Sequence, residues 1–203
     1  VIESRGLGDV YKRQIKTGEY EIPAHSSMAD ILSLMQSGMV VMHRITVTEG
    51  ATTGQVIDTL MRDERLQGEI GDDAFAEGSL LPETYFFARG DKRRDVLERM
   101  RQAMNDKLDE IWLSRQDGLP IKTKAEVLIL ASIIEKETAV PGERARISGV
   151  FTNRLRRGIR LQSDPTVIYG IAKGQLDRSL TVRDLDSDTP YNTYKIKGLP
   201  IGP

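Results

Sequence analysis

The 203-residue chain contains no cysteine. That excludes a disulfide framework and thiol chemistry, and it fits an oxidising compartment such as the periplasm as well as it fits the cytosol. Histidine is almost as scarce. His25 and His43 both lie in the first quarter, and neither has a partner at metal-ligand spacing, so no metal site is expected. No stretch approaches the roughly 18 apolar residues of a membrane span, and no signal peptide is visible. An excess of one charge is missing too. The 29 basic and 30 acidic residues leave a formal net charge of −1, which provides no global field for nucleic acid or anionic membrane. Nothing in the composition asks for a cofactor. What remains is ordinary: 39% hydrophobic and 29% charged residues, in a length that suits one large domain or two small ones.

No internal repeat or low-complexity tract breaks the chain. Residues 1–14 (VIESRGLGDVYKRQ) follow neither a helical nor a strand period. They are expected to be a non-native leader, with a disordered native one as the alternative. From Gly18 the pattern becomes legible. Residues 18–23 alternate like a short strand. Ser26 and Ser27 offer an N-cap to a helix with Met28, Ile31, Leu32 and Met35 on one face, and Gly38 ends it. A strand over 39–47 follows, with Val41, Ile45 and Val47 on one side. Thr52 and Gln55 then form a capping box for a helix bearing Val56, Ile57, Leu60 and Met61. This β-α-β-α unit closes near Gly68.

A Gly/acidic stretch through Asp73 leads to a loop-and-strand segment over 77–87, and the rest reads as mostly helical. Asp91 is placed to cap a long helix carrying Val96, Leu97, Met100, Met104 and Leu108. Thr123 and Glu126 make a capping box for a helix over 124–138. Pro141 suits the first turn of the next helix, with Ile147, Val150, Phe151 and Leu155 facing inward and Gly158 as its stop. The predicted class is α+β: a small β-α-β module over 15–70, then a mostly helical domain with short strands over 71–203.

The most informative segment is AEVLILASIIEKET, residues 125–138. Val127 to Ile134 is apolar on nearly every side except Ser132, the mark of a buried helix. It runs directly into Glu135, Lys136 and Glu137. At about 100° per residue, Glu135 falls between Leu128 and Ala131, on a face with no other carboxylate. Glu137 falls on the Leu130 and Ile133 side. Glu135 is therefore the carboxyl expected against apolar wall, where poor solvation favours the protonated form needed to donate to a glycosidic oxygen. The plain alternative is that Glu135 marks where a buried helix meets water.

Its company favours chemistry on sugars. Asn153, Gln162, Asp164, Thr166 and Tyr169 lie within one stretch, and Tyr191, Asn192, Thr193 and Tyr194 add hydroxyls, an amide and two aromatic faces. Such groups suit pyranose rings, although they also populate ordinary loops. Asp164 could be a second carboxylate, or the cap of a short helix after a turn. Gln162 reads as a substrate contact or a loop-organising amide. Glu83 and Tyr85 read as cleft wall or as packing, and Asn153 could orient Glu135 or satisfy a carbonyl. The run Arg144, Arg146, Arg154, Arg156, Arg157 and Arg160 reads as a solvated helix face or an attraction for carboxylates of a partner, with no nucleic-acid motif beside it.

At these residues the sequence closely resembles the endolytic murein transglycosylase (YceG-like) family. The matching stretches are EGSLLPETY (77–85), LASIIEKETAV (130–140), VFTNRLRRGIRLQSDPTVIYG (150–170) and TPYNTYKIKGLPIGP (189–203), with GEYEIP (18–23) and ITVTEG (45–50) before them. The resemblance implies cleavage of the β-1,4 bond between N-acetylmuramic acid and N-acetylglucosamine in nascent strands, leaving 1,6-anhydromuramoyl ends. It places the catalytic acid on Glu135. It also implies a LysM-like module over 15–70 and a catalytic domain that stops short at its C-terminus. The implied setting is the bacterial inner membrane with the catalytic domain in the periplasm, held by an N-terminal anchor absent from this piece, which is expected to be soluble. Peptidoglycan strands, and cell-wall synthases, are the implied partners. A non-catalytic peptidoglycan-binding module is the competing function, and a DNA-binding regulator a weaker third.

Overall fold

Four of the seven α-helices among the described residues begin at a capping box. In each, an N-cap hydroxyl accepts the third backbone N–H while the third side chain reaches back, so two orphan donors are satisfied locally. The computed structural model describes residues 15, 17–71 and 75–203. The leader expected over 1–14 lies outside them.

The order is α1 (Met28–Ser37), β1 (Met42–Thr46), α2 (Thr53–Arg62), β2 (Thr84–Ala88), α3 (Arg93–Ser114), α4 (Lys124–Glu137), a 3₁₀ turn (Pro141–Glu143), α5 (Arg144–Arg156), α6 (Asp164–Ala172) and α7 (Val182–Leu185). Ser27 caps α1, and Gly38 ends it in the left-handed conformation at φ 70°. The apolar face expected on α1 is not covered, however. None of its residues is buried, and Met28 is 81% exposed.

The two strands pair antiparallel, with Met42 opposite Ala88 and Thr46 opposite Thr84. Period-2 alternation sends Ile45 and Phe87 inward and leaves Phe86 exposed. Residues 18–23 do not form the expected third strand. Its backbone link to the 39–47 segment is the Val41 N–H donating to the Glu19 carbonyl at 2.7 Å, and the Glu19 side chain instead pairs with His43 and Arg89.

One core gathers Ile45, Val56, Leu60, Phe87, Val96, Leu97 and Met100. It draws on both sides of the boundary read near residue 70, as does the β1–β2 pair. A second core joins Ile129, Leu130 and Ile133 of α4 to Phe151 and Leu161. Helix α4 packs against α3, α5 and α6, so it sits at the centre of the helical part.

Two local expectations need correction. Asp91 does not cap α3: Lys92 holds the N-cap position without a side-chain bond, and Asp91 Oδ2 accepts the Ala88 N–H at 2.9 Å, closing the turn after β2. Val150 is 47% exposed, because Ile147, Phe151 and Leu155 already fill the inner stripe of α5.

Helix α6 approaches the 189–193 segment closely through Gly170. A Cβ there would collide with Thr189 Oγ1 and lie 3.3 Å from Tyr191 Cβ. Gly170→Ala is therefore expected to cost about 1–3 kcal/mol by overpacking, despite Ala being the better helix former. Chemical denaturation measures this, and an unchanged or raised midpoint would contradict the close approach.

Candidate active site

A cavity of about 410 Å³ opens beside α4. Leu80, Leu81, Met104, Leu108, Val127, Leu128 and Ile168 supply apolar wall, while Glu135, Ser132, Lys136, Glu77, Tyr169 and Tyr191 supply polar groups. The helix read as buried all round is in fact divided. Ile129 and Leu130 face the second core, Ile133 packs in that core and also borders the cavity, and Val127, Leu128, Ala131 and Glu135 line the cavity. The wheel position of Glu135 beside Leu128 and Ala131 is what turns it to the open side. Lys136 lies along Gly50, where a Cβ would come within 3.0 Å of its Cε. That glycine has φ 72°, so the turn requires it, while the flexible end of Lys136 could give way to a larger residue.

The Glu135 side chain is 27% exposed and is not sealed by apolar wall alone. Arg144, the first residue of α5, donates from Nη2 to Glu135 Oε1 at 2.8 Å. The loop between them is tied: Thr138 Oγ1 donates to Glu143 Oε2 at 2.9 Å and accepts the Val140 N–H at 3.0 Å. On the other flank, Ser163 Oγ donates to Glu137 Oε2 at 2.8 Å, joining the end of α4 to the start of α6.

Across the cavity, Glu77 Oε1 accepts the Thr53 N–H at the start of α2 at 2.8 Å, and its Oε2 accepts the Tyr169 hydroxyl at 3.2 Å. Tyr169 and Tyr191 meet edge to face at 4.8 Å, and the Lys173 ammonium lies 5.1 and 4.7 Å from their ring centres. At Tyr191 these contacts already occupy one of the two aromatic faces expected to suit pyranose rings. Burial, then the neighbouring Glu77 charge, pushes the Tyr169 hydroxyl up to about 12. Tyr194 is also pushed up to about 12, first by its bond to Asp164 and then by burial. Since both folded values lie above the ordinary 10, their contribution to stability is intact below about pH 10 and is lost as the pH rises through 12. Ultraviolet titration should show Tyr169 and Tyr194 ionising late, with Tyr85 raised in the same direction by burial, and Tyr169→Phe should remove one of the late steps. Ionisation of all tyrosines near pH 10 would refute the burial.

The other predicted site residues are dispersed. Thr166 lines the cavity, but its Oγ1 donates to the Ser163 carbonyl at 2.6 Å and meets Thr193 Oγ1 at 2.9 Å. Asn192 is fully buried: Nδ2 donates to the Leu185 and Ser187 carbonyls, and Oδ1 accepts the Tyr194 N–H, so its amide organises the α7 loop. Asp164 is exposed and accepts the Tyr194 hydroxyl at 2.6 Å. It neither caps α6, where Ser163 is the N-cap residue, nor lines the cavity opposite Glu135. Gln162 is exposed at φ 52°, and its N–H donates to the Thr193 carbonyl. Asn153 is exposed and makes no bond to Glu135. Glu83 accepts the Thr84 N–H, and Tyr85 donates to the Leu81 carbonyl. Glu77, Arg144 and Lys173 were missed as site residues, although EGSLLPETY contains the first and the arginine run the second. Of that run, Arg154 is tied to the Leu161 carbonyl and Arg156 to the Gly118 carbonyl at 3.0 Å.

Among the described residues, no three His, Asp or Glu side chains are grouped to hold a metal ion, and no helix is long and apolar enough to cross a membrane. With this geometry in place, comparison with known proteins is decisive: the YceG-like family profile matches residues 3–203. The chain belongs to the YceG-like family. The matched span takes in most of the first fourteen residues as well. An endolytic murein transglycosylase of Bacillus subtilis (strain 168) is 30% identical over 219 residues, covering 93% of this YceG-like chain and 60% of that protein. One from Streptococcus pneumoniae serotype 2 (strain D39 / NCTC 7466) is 27% identical over 236 residues, covering 93% and 42%. The chain thus spans between two fifths and three fifths of the curated relatives it matches. A crystal structure of a yceG-like protein from Listeria monocytogenes superposes with a TM-score of 0.58 at 27% identity, covering 97% of this chain and 74% of that one.

Proposed function

We propose that this chain carries the catalytic part of an endolytic peptidoglycan lytic transglycosylase, with Glu135 as its single acid and base. The observation that carries the reading is a glutamate at the end of α4, turned onto a cavity whose walls can displace water from a bound sugar. The names of the relatives support the substrate.

The Glu135 carboxyl donates its proton to the glycosidic oxygen between N-acetylmuramic acid and N-acetylglucosamine. The C1–O bond breaks, its electron pair leaves with that oxygen, and positive charge develops at C1. The carboxylate then removes the proton of the C6 hydroxyl, whose oxygen bonds to C1 and closes the 1,6-anhydro ring. One proton leaves Glu135 and one returns, and no water is consumed. A single carboxyl can therefore serve where hydrolases ordinarily use two.

The LysM-like part expected over 15–70 would hold strand beside the cutting site, its sheet completed by Thr84–Ala88 from beyond that boundary. The whole protein works in the periplasm from an inner-membrane anchor, alongside cell-wall synthases. Muropeptide analysis after digestion of sacculi tests the chemistry. Anhydro ends are expected; borohydride-reducible muramic ends would mean hydrolysis, and neither product would leave a strand-binding module.

A further inference from the structure

Nη2 and Nε of an arginine share one edge of the guanidinium, the edge that grips a carboxylate with two parallel bonds. In this structure only half of that grip is made. Arg144 Nη2 donates to Glu135 Oε1 at 2.8 Å, while Arg144 Nε is buried with no partner among the described residues. A buried donor without an acceptor is costly, so an unmade bond at this place calls for an explanation. Glu135 Oε2 accepts no hydrogen bond from the described residues, and Glu135 lines the cavity. Arg144 is fixed at the first turn of α5, behind the Thr138–Glu143 tie.

We propose that Arg144 is the positioning residue of the reaction, and that its half-made fork assigns separate tasks to the two oxygens of Glu135. The proposal rests on the reading of Glu135 as acid and base. With one bond held on Oε1, Oε2 is left to carry the proton toward the glycosidic oxygen. When the Oε2–H bond breaks and the proton passes to the leaving oxygen, a full carboxylate remains. A small rotation brings Oε2 within reach of the idle Nε–H, and the fork closes on the charge that the step created. That contact exists only after proton transfer, so it stabilises the later state more than the resting one. When the C6 hydroxyl surrenders its proton to Oε2, the second bond opens and the starting arrangement returns. A lysine cannot do this, because its ammonium presents no planar fork.

The test uses the full chain with Arg144→Ala, Arg144→Lys and Glu135→Gln, following formation of anhydro ends on soluble, uncrosslinked glycan strands. Melting temperature is recorded for each variant. In both Arg144 variants kcat should fall by about 10²-fold, the cost of a misplaced reacting group, with KM within about twofold of the parent. Added guanidinium ion should restore several-fold activity to Arg144→Ala and none to Glu135→Gln. If Arg144→Ala melts early, Arg144→Lys carries the test, since it keeps the stem and the charge. Parent-like turnover in Arg144→Lys overturns the proposal. So does a raised KM at unchanged kcat, which would make Arg144 a strand contact. Retained turnover in Glu135→Gln, or a parent chain that makes no anhydro ends, fails at the reading beneath, whatever Arg144 does.

Discussion

Glu135→Gln is expected to lower the rate of anhydro-end formation by at least about 10³-fold while leaving strand binding in place. General acid catalysis alone contributes about 10²–10⁴-fold, and in the proposed mechanism the same carboxyl also serves as the base. The amide is nearly the same size and still presents an oxygen to Arg144 Nη2, so the cavity keeps its shape. It can neither release a proton to the leaving oxygen nor accept one from C6. The effect on folding should be small. Both members of the Arg144–Glu135 contact are partly exposed, at 40% and 27%, where even a full ion pair contributes only about 0–1 kcal/mol. Mass spectrometry of the released muropeptides, with sacculus pelleting and thermal melting as controls, separates the outcomes. Anhydro ends produced at the parental rate would remove Glu135 from the mechanism.

Phe87→Ala should have the largest effect on stability, about 3–5 kcal/mol. Phe87 has no exposed surface, and its ring lies beneath the Arg65 guanidinium at 5.3 Å and beside the His43 ring at 5.8 Å. Truncation therefore removes core volume and two ring contacts at once. Against a total stability of about 5–15 kcal/mol, that brings the variant close to unfolding at ambient temperature. The core around Phe87 contains residues from β1, α2, β2 and α3, so the loss should be felt as one cooperative transition. Urea unfolding followed by circular dichroism and by Trp112 fluorescence should give coincident curves with a lowered midpoint. An unmoved midpoint would contradict the contribution of Phe87, and two separated transitions would show that the cores are independent.

Much of the helical framework is legible in the chain because its signals are local. The Thr52/Gln55 and Thr123/Glu126 pairs each span three residues, and both form the boxes read from them. The wheel argument that turns Glu135 toward Leu128 and Ala131 is equally local, and all three line one cavity. What could not be read depends on distant partners. The Tyr169 hydroxyl is engaged by Glu77, ninety-two positions away, and the Tyr191 ring by Lys173 and Tyr169. Asn192 looks like a sugar-binding amide until α7 and its loop close over it. Residues 18–23 alternate as a strand should, yet alternation does not say whether a neighbour will offer a matching ladder. The arginine run showed abundant charge without showing which member would be drawn onto the α4 glutamate.

The pairing of β1 with β2 has a further consequence for how the chain can be divided. A cut near residue 70 would leave the Thr84–Ala88 strand with a bare row of amides and carbonyls. It would also bring the underside of that strand, with Phe87, Val96 and Leu97, into contact with water. Such a fragment carries the α4 glutamate but has a sticky edge and half a floor, conditions that favour clumping over turnover. The portion bearing the cleft is therefore not a portable cassette: its shape is completed by the segment that precedes it.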